Sequence, residues 1–194
     1  EQTPLRPEAI TWTGQSVERV EDAALLSGRG RFIDDLGTRP DTLHAAILRS
    51  SHAHADIVSI DASAAVAMPG VAAVITGRDL AKLSAPMLAG LKIAAENWPM
   101  AVERVRYVGE PVAVVVAKDR YLAEDALDAV EVSYRPLRCV IDPVASIVAG
   151  APLLHEKTGG NLVSDRRFRY GDPERAFSEA TGEVAVSIAY PRNT

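Results

Sequence analysis

Four histidines, one cysteine and a few adjacent charges are the residues of this chain that could carry chemistry. His52-Ala53-His54 has the most metal-like spacing. On a strand, residues i and i+2 project to the same side, so two imidazoles could meet one ion. A third ligand is needed, and His44, His155, Asp56 or Asp61 could supply it only if the fold brings them close. Short spacings of this kind arise often by chance, and a polar strand-entry segment making hydrogen bonds is the plainer expectation. Gly28-Arg29-Gly30 lacks the preceding strand, third glycine and following helix of a dinucleotide site, so its glycines serve a turn. Asp34-Asp35, read as strand neighbours, point to opposite faces and make a poor acid–base pair. Glu124-Asp125 reads as solvated. Arg166-Arg167-Phe168-Arg169 could grip a carboxylate or phosphate, with a domain or subunit contact as the expected role. Cys139, the single cysteine, excludes an internal disulfide, a cysteine-held iron–sulfur cluster and a cysteine zinc site. Between Leu137-Arg138 and Val140-Ile141 it reads as a buried small hydrophobe. No Ser-His-Asp or phosphate-loop pattern is present. No residue is therefore assigned a catalytic, cofactor-binding or metal role.

The elements that position these residues follow from composition and periodicity. The chain has 194 residues, 47% of them hydrophobic, and a net charge of −5. That supports a sizeable core and argues against nucleic acid or an anionic membrane as partner. No apolar run approaches a membrane span, and the first residue is Glu1 rather than Met. Residues 1–15 read as an extended arm. Glu21 to Leu26 reads as a short helix stopped by Gly28. Strands are expected over Leu43 to Arg49 and Ala55 to Ile60. A unit then occurs twice: Asp61 heads a helix over Ala62 to Ala67 with a strand over Val71 to Thr76, and Asp119 heads a helix over Arg120 to Ala129 with a strand over Val130 to Tyr134. The apolar positions 122, 123, 126, 127 and 130 form one helical stripe. Each unit follows a strand, which implies βαβ units with helices laid on a sheet. Between them, Leu80 to Val102 is a long irregular segment, a common setting for function.

The run Arg104-Val105-Arg106-Tyr107-Val108-Gly109-Glu110-Pro111 followed by Val112 to Ala117 reads as a short strand, a tight corner and a strand buried on both faces. Pro111 begins that strand, where its missing N–H costs least. Asp142-Pro143 and Asp172-Pro173 are helix starts, with Asp as cap and Pro at the first helical position. Glu183 to Tyr190 alternates as a strand with no evident partner. From the residues alone this is an α/β domain.

In series, these motifs resemble the molybdenum hydroxylases, the family of xanthine dehydrogenase, aldehyde oxidase and aerobic carbon monoxide dehydrogenase. The resemblance rests on Arg19 to Asp35, Leu43 to Ala55, Pro69-Gly70-Val71 through Asp79-Leu80, and the Tyr107-Val108-Gly109-Glu110-Pro111 corner. It covers residues 16 to about 145. It implies an α/β (α+β) fold, with residues 16–150 as an α/β hammerhead domain and 151–194 as the start of a molybdopterin-binding domain. It further implies an oxidoreductase that hydroxylates or oxidises an aldehyde, N-heterocycle or CO at a molybdenum–molybdopterin (cytosine dinucleotide) centre. FAD and [2Fe-2S] clusters would then lie on partner subunits or segments. The partners implied are the rest of the large subunit, an FAD subunit and an iron–sulfur subunit, in the cytoplasm, with room for a dimer. In the family the residues around molybdenum, and the glutamate base, lie beyond this stretch, so no Glu here inherits that role. The family also places an insertion of the first domain beside the substrate funnel. Here that is Leu80 to Val102, with Met87, Leu88, Leu91 and Trp98 as the channel candidates. Two alternatives stay open: a free-standing hammerhead module for interaction or assembly, and a self-contained enzyme using His52 and His54 with a metal.

Overall fold

The computed structural model describes residues 12–88, 95–188 and 190. Backbone contacts divide the chain after Thr42. In the first unit, α1 (Asp22–Leu26) begins with an acidic residue, and Arg19 Nε lies 3.0 Å from Asp22 Oδ1. Ile33–Leu36 forms a 3₁₀ turn, in which the Asp35 carboxylate accepts from the Phe32 N–H at 2.9 Å. Asp34 and Asp35 therefore sit on a helical turn and not on a strand. A residue three back offers its free N–H, so the carboxylate favours the turn over an extended run.

The second unit contains β1 (His44–Arg49), β2 (Ala55–Asp61), α2 (Ser63–Ala67), β3 (Val71–Thr76), α3 (Gly77–Leu80), β4 (Met87–Leu88), β5 (Glu96–Asn97), β6 (Arg104–Val105), β7 (Pro111–Ala117), α4 (Arg120–Asp125), β8 (Glu131–Pro136), α5 (Pro143–Ser146) and α6 (Pro173–Ser178). Two three-stranded sheets have the orders β1-β7-β3 and β6-β2-β8, and β4 and β5 form a small hairpin ladder. β7 is central, and Val112, Ala113, Val115 and Ala117 are fully buried, as the unbroken apolar run requires.

The repeated unit is present, but its topology differs from the βαβ expectation. Among the described residues every strand pairing is antiparallel. Within each unit the two strands lie in different sheets. The first strand of one unit pairs with the last strand of the other: β2 with β8, and β3 with β7. The units thus interlock, and the helices bridge two sheets. Hydrophobic periodicity specifies which face of an element is buried, not which strand it joins, so this exchange is invisible in the sequence. Ile60 and Val132 pack against both the Val105–Val112 cluster and the Ala65–Val115–Ala126–Val130 cluster, joining the two cores.

Local signals held where the physics is local. The Asp119 carboxylate accepts from Leu122 N–H at 2.9 Å, and that of Asp142 from Val144 N–H at 2.7 Å and Ala145 N–H at 3.0 Å. The helix after Asp119 ends at Asp125, four residues short of the expectation. Its continuation is a run of i→i+3 turns, for example Leu127 N–H to Glu124 O at 3.1 Å, a common way for a helix to tighten at its end. Cys139 is exposed, contrary to expectation, because it lies past β8 in a stretch with no regular structure. Residues 183–188 form no strand, and Val184, Val186 and Ile188 are exposed; an alternating segment needs a neighbouring strand to satisfy its backbone.

Two devices fix the ends of the irregular segment and its following corner. Gly77 opens α3 against the backbone of Ala101: a Cβ on Gly77 would stand 1.9 Å from Ala101 O and 2.6 Å from Ala101 C. The start and end of the 80–102 segment are therefore held together at van der Waals contact. Thr76 donates to Asp79 Oδ2 from its N–H at 3.1 Å and its hydroxyl at 2.7 Å. Those bonds hold the Asp79 carboxyl down at about 2. At the corner, Gly109 takes φ of 88°, and its N–H reaches Ser50 O at 2.8 Å while Ser50 N–H reaches Glu110 O at 2.9 Å.

Glu110 is buried, and its carboxylate accepts from the Arg106 N–H. Burial raises its pKa above the ordinary value, partly offset by that hydrogen bond. A carboxyl whose folded pKa is raised binds its proton more readily in the folded state, so folding gains stability as pH falls through that pKa. Relative to Glu110→Gln, the wild-type chain should gain thermal stability on acidification from pH 7 toward the ordinary carboxylate range. A difference in melting temperature that stays flat across that range would contradict the assignment.

Candidate functional site

Val105 is fully buried in β6, so its neighbours Arg104 and Arg106 project to the opposite face. Arg104 is the register partner of Asp56 in β2, which in turn faces Arg135 in β8. The result is a row of three charges across one sheet. Arg104 Nε stands 2.6 Å from Asp56 Oδ1, Arg135 Nη2 is 2.6 Å from Asp56 Oδ2, and Arg104 Nη1 is 2.8 Å from Glu156 Oε1. Hydrogen bonds from Arg104, then Arg135, hold the Asp56 carboxyl below the usual range, and Arg104 does the same to Glu156.

Glu156 belongs to a segment that folds back onto this sheet. Arg106 Nε donates to Leu154 O at 2.9 Å. Asn161 knits the segment into a loop: its Oδ1 accepts from Leu154 N–H at 3.1 Å, and its Nδ2 donates to Ser146 O and Pro152 O, both at 2.9 Å. Thr158 Oγ1 lies 2.6 Å from both His155 O and Gly160 O, so the two carbonyls share its single hydroxyl proton. Lys157 Nζ lies 2.6 Å from Glu96 Oε1, tying the segment to β5 and lowering the Glu96 pKa.

Between the sheet, β5 and this segment lies a cleft of about 360 Å³, bordered by Trp98, Val102, Arg104, Arg106, His155 and Lys157. A second, of about 630 Å³, is bordered by Ala95, Asn97, Ile141, Leu154 and Asn161 and shares His155 with the first. His155 is held below the usual imidazole pKa, first by burial and then by the charge of Arg106.

The channel candidates separate. Trp98 is half-buried and borders the smaller cleft. Met87 and Leu88 occupy β4, with Met87 opposite Asn97 and Leu88 opposite Glu96. The Met87 side chain is exposed and does not border either cleft. Leu91 lies outside the described residues.

The two histidines of the metal-like spacing do not share a target. His52 precedes β2 and packs its ring 4.7 Å from that of Tyr134. His54 is buried, with Nδ1 2.8 Å from Arg138 O and Nε2 without a partner. Among the described residues no three His, Cys, Asp or Glu side chains are grouped to hold a metal. These residues do not fit a molybdenum ligand set, so no step through molybdenum is derived from them. The arginine cluster makes local ion pairs: Arg167 with Asp165 at 3.7 Å, and Arg169 with Glu174.

Arg106, Asn161 and Glu156 were not singled out by sequence. The signal for Arg106 was its alternation with buried Val105 in Arg104-Val105-Arg106. Asn161 offered only a position after two glycines, and its partners could not be read from that.

Residues 27–138 match the family model described as aldehyde oxidase and xanthine dehydrogenase, a/b hammerhead domain. The 6-hydroxypseudooxynicotine dehydrogenase complex subunit gamma of Paenarthrobacter nicotinovorans is 42% identical over 87% of this chain and 22% of its own length. The carbon monoxide dehydrogenase large chain of Afipia carboxidovorans is 45% identical over 78% of this chain and 18% of its own. The crystal structure of quinoline 2-oxidoreductase from Pseudomonas putida 86 superposes with a TM-score of 0.74 at 40% identity, covering 87% of this chain and 22% of that one. The chain spans about a fifth of the length of these relatives. With its antiparallel interlocked sheets and a family match across most of the strand-bearing region, the chain belongs to the aldehyde oxidase and xanthine dehydrogenase family of molybdenum hydroxylases, and carries its hammerhead domain.

Proposed function

We propose that this chain is the N-terminal portion of the large subunit of a molybdenum-dependent oxidoreductase, and that it acts as scaffold and substrate-channel wall without itself being catalytic. In this reading residues 16–150 are the hammerhead domain and residues 151–194 open the molybdopterin-binding domain. The rest of the large subunit, an FAD subunit and an iron–sulfur subunit complete a cytoplasmic enzyme. A cytosine-dinucleotide form of the cofactor, FAD and [2Fe-2S] clusters belong to the same proposal. Among the described residues no helix is long and apolar enough to cross a membrane.

The observation that carries the reading is the placement of Trp98. The segment returning from the 80–102 excursion passes through β5, where Glu96 is tied to Lys157, and presents Trp98 to an open cleft. Both ends of the excursion are held by the Gly77–Ala101 contact, so the wall has a fixed base. An aromatic side chain on a rigid support, among a few fixed polar groups, suits a passage for a small molecule. Met87, Leu88 and Leu91 are the further channel residues of this proposal.

The test uses the full polypeptide produced with its genomic neighbours, with molybdenum measured by mass spectrometry and benzaldehyde, quinoline and CO as probes. Molybdenum should be present, and Trp98→Ala should raise KM for at least one oxidised probe roughly tenfold at unchanged molybdenum content, the loss of one aromatic contact. Unaltered kinetics with every oxidised probe would remove Trp98 from the channel. A complex that never contains molybdenum would favour the hammerhead as an assembly module.

A further inference from the structure

The cleft beside Trp98 has a feature that scaffold alone does not require. Four carboxylates and four basic groups border it. Asp56 and Glu156 are paired with Arg104, and Glu96 with Lys157. Glu103, the fourth carboxylate, is exposed. Arg106 is the cation left over. Its guanidinium donates only to carbonyls, from Nε to Leu154 O at 2.9 Å and from Nη1 to Arg104 O at 3.3 Å. Among the described residues no carboxylate lies within 4.0 Å of it. Carbonyl acceptors fix the direction of the guanidinium without neutralising it. A planar fork held in one orientation beside a cavity is the arrangement that recognises a carboxylate bidentately.

We infer that Arg106, His155 and Trp98 form a binding site for a small organic carboxylate whose body is apolar or aromatic. Arg106 takes the carboxylate, His155 stands beside it, and Trp98 with Val102 covers the body. A bare carboxylate would leave most of the roughly 360 Å³ unfilled, whereas a single-ring acid brings apolar surface to Trp98. Glu103 disfavours a second negative charge at the mouth, so a monoanion fits better than a dianion. Burial first, and then the charge of Arg106, hold His155 below the usual imidazole range, and a carboxylate bound at Arg106 offsets the second of these. The charged groups that share the cleft with His155 are Asp56, Glu96, Glu103, Arg104, Arg106, Glu156 and Lys157, of which Arg106 and Glu96 act on its titration. This inference stands apart from the channel reading, because it is measured on the 194-residue chain with no molybdenum and no turnover.

The reporter is Trp98 fluorescence in a Trp12→Phe background, which leaves one tryptophan. Benzoate, acetate and inorganic phosphate are titrated at constant ionic strength against chloride. Benzoate should give a saturable change, acetate a weaker one and phosphate none. Arg106→Lys, which keeps the charge but not the fork, should weaken benzoate at least tenfold, and Arg106→Gln should abolish it. Because Arg106 also holds Leu154, a readout free of substitution accompanies these. In the wild-type chain, benzoate should shift the Arg106 Nε resonance and raise the midpoint of the His155 imidazole titration. The proposal is overturned by a benzoate response no larger than the chloride control, by equal binding in Arg106→Gln, or by binding that leaves the Arg106 and His155 resonances in place. Phosphate binding as tightly as benzoate would also overturn it, by showing a general anion sink.

Discussion

Gly77→Ala should destabilise the chain by about 3 kcal/mol or more, beyond the usual range for a single added methyl. The added Cβ meets Ala101 O at 1.9 Å and Ala101 C at 2.6 Å, so it strikes backbone that no rotamer change can move aside. Relief requires α3 to part from the irregular stretch that leads to β6, and that separation opens the base of the 80–102 segment. In a chain of this size the loss corresponds to a fall in melting temperature of roughly 6–12 °C. Calorimetry on Gly77→Ala beside Gly182→Ala gives the comparison, since a Cβ on Gly182 meets nothing within 4 Å. Gly182→Ala should melt like wild type. A Gly77 variant within about 1 kcal/mol of wild type would show that the two backbones are not in obligatory contact. If the channel reading is right, the same variant shifts Trp98 as well, so stability and substrate access should fail together.

The second large effect is expected at Asp56. Its carboxylate serves Arg104 and Arg135 at once, and its side chain is only 16% exposed. Asp56→Ala leaves Arg104 with Glu156 alone and Arg135 with no partner among the described residues. Breaking a fully buried pair costs about 3–5 kcal/mol, and an exposed one less than 1. With Arg104 at 22% and Arg135 at 71% exposure, the loss should fall between these, near 2 kcal/mol. The pH dependence has a definite sign. The folded carboxyl is held below its ordinary 3.8, so its contribution is complete above that value and fades as pH falls through the folded pKa. Wild type and Asp56→Ala should differ at pH 7 and converge in strong acid, by urea titration at each pH. A gap that persists unchanged in strong acid would mean that packing, not charge, is what the substitution removes.

What the sequence made legible was whatever depends on neighbours in the chain. Val112 to Ala117 read correctly as a strand from its composition, and one face of it is fully buried, while on the other Val114 and Val116 are only half-buried. Asp119, Asp142 and Asp172 read correctly as caps, because a cap is satisfied by N–H groups two or three residues away. The pairing of β2 with β8 did not, because both strands alternate acceptably against several partners. Cys139 misled because an apolar neighbourhood in sequence was taken for one in space. Trp98 was singled out through the family's insertion, and its side chain borders the smaller cleft. Arg106 was hidden because its significance lies in Leu154, 48 residues away, and in the carboxylates that other cations have already taken. Residues 183–190 carried a true alternation, but among the described residues no strand lies beside them to turn it into structure.

The interlocking of the two units also bears on how the chain is made. His44 pairs with Ala117, and Ala55 with Pro136, so each sheet joins strands from opposite ends of the region. Neither sheet can close until its last strand has left the ribosome. At roughly 5–20 residues per second, β1 waits about 4–15 seconds for β7 to emerge, and β2 a similar time for β8. Through that interval β1 to β3 present unpaired edges. The interval of synthesis, more than the finished fold, is where this domain is most open to mispairing and most in need of a chaperone.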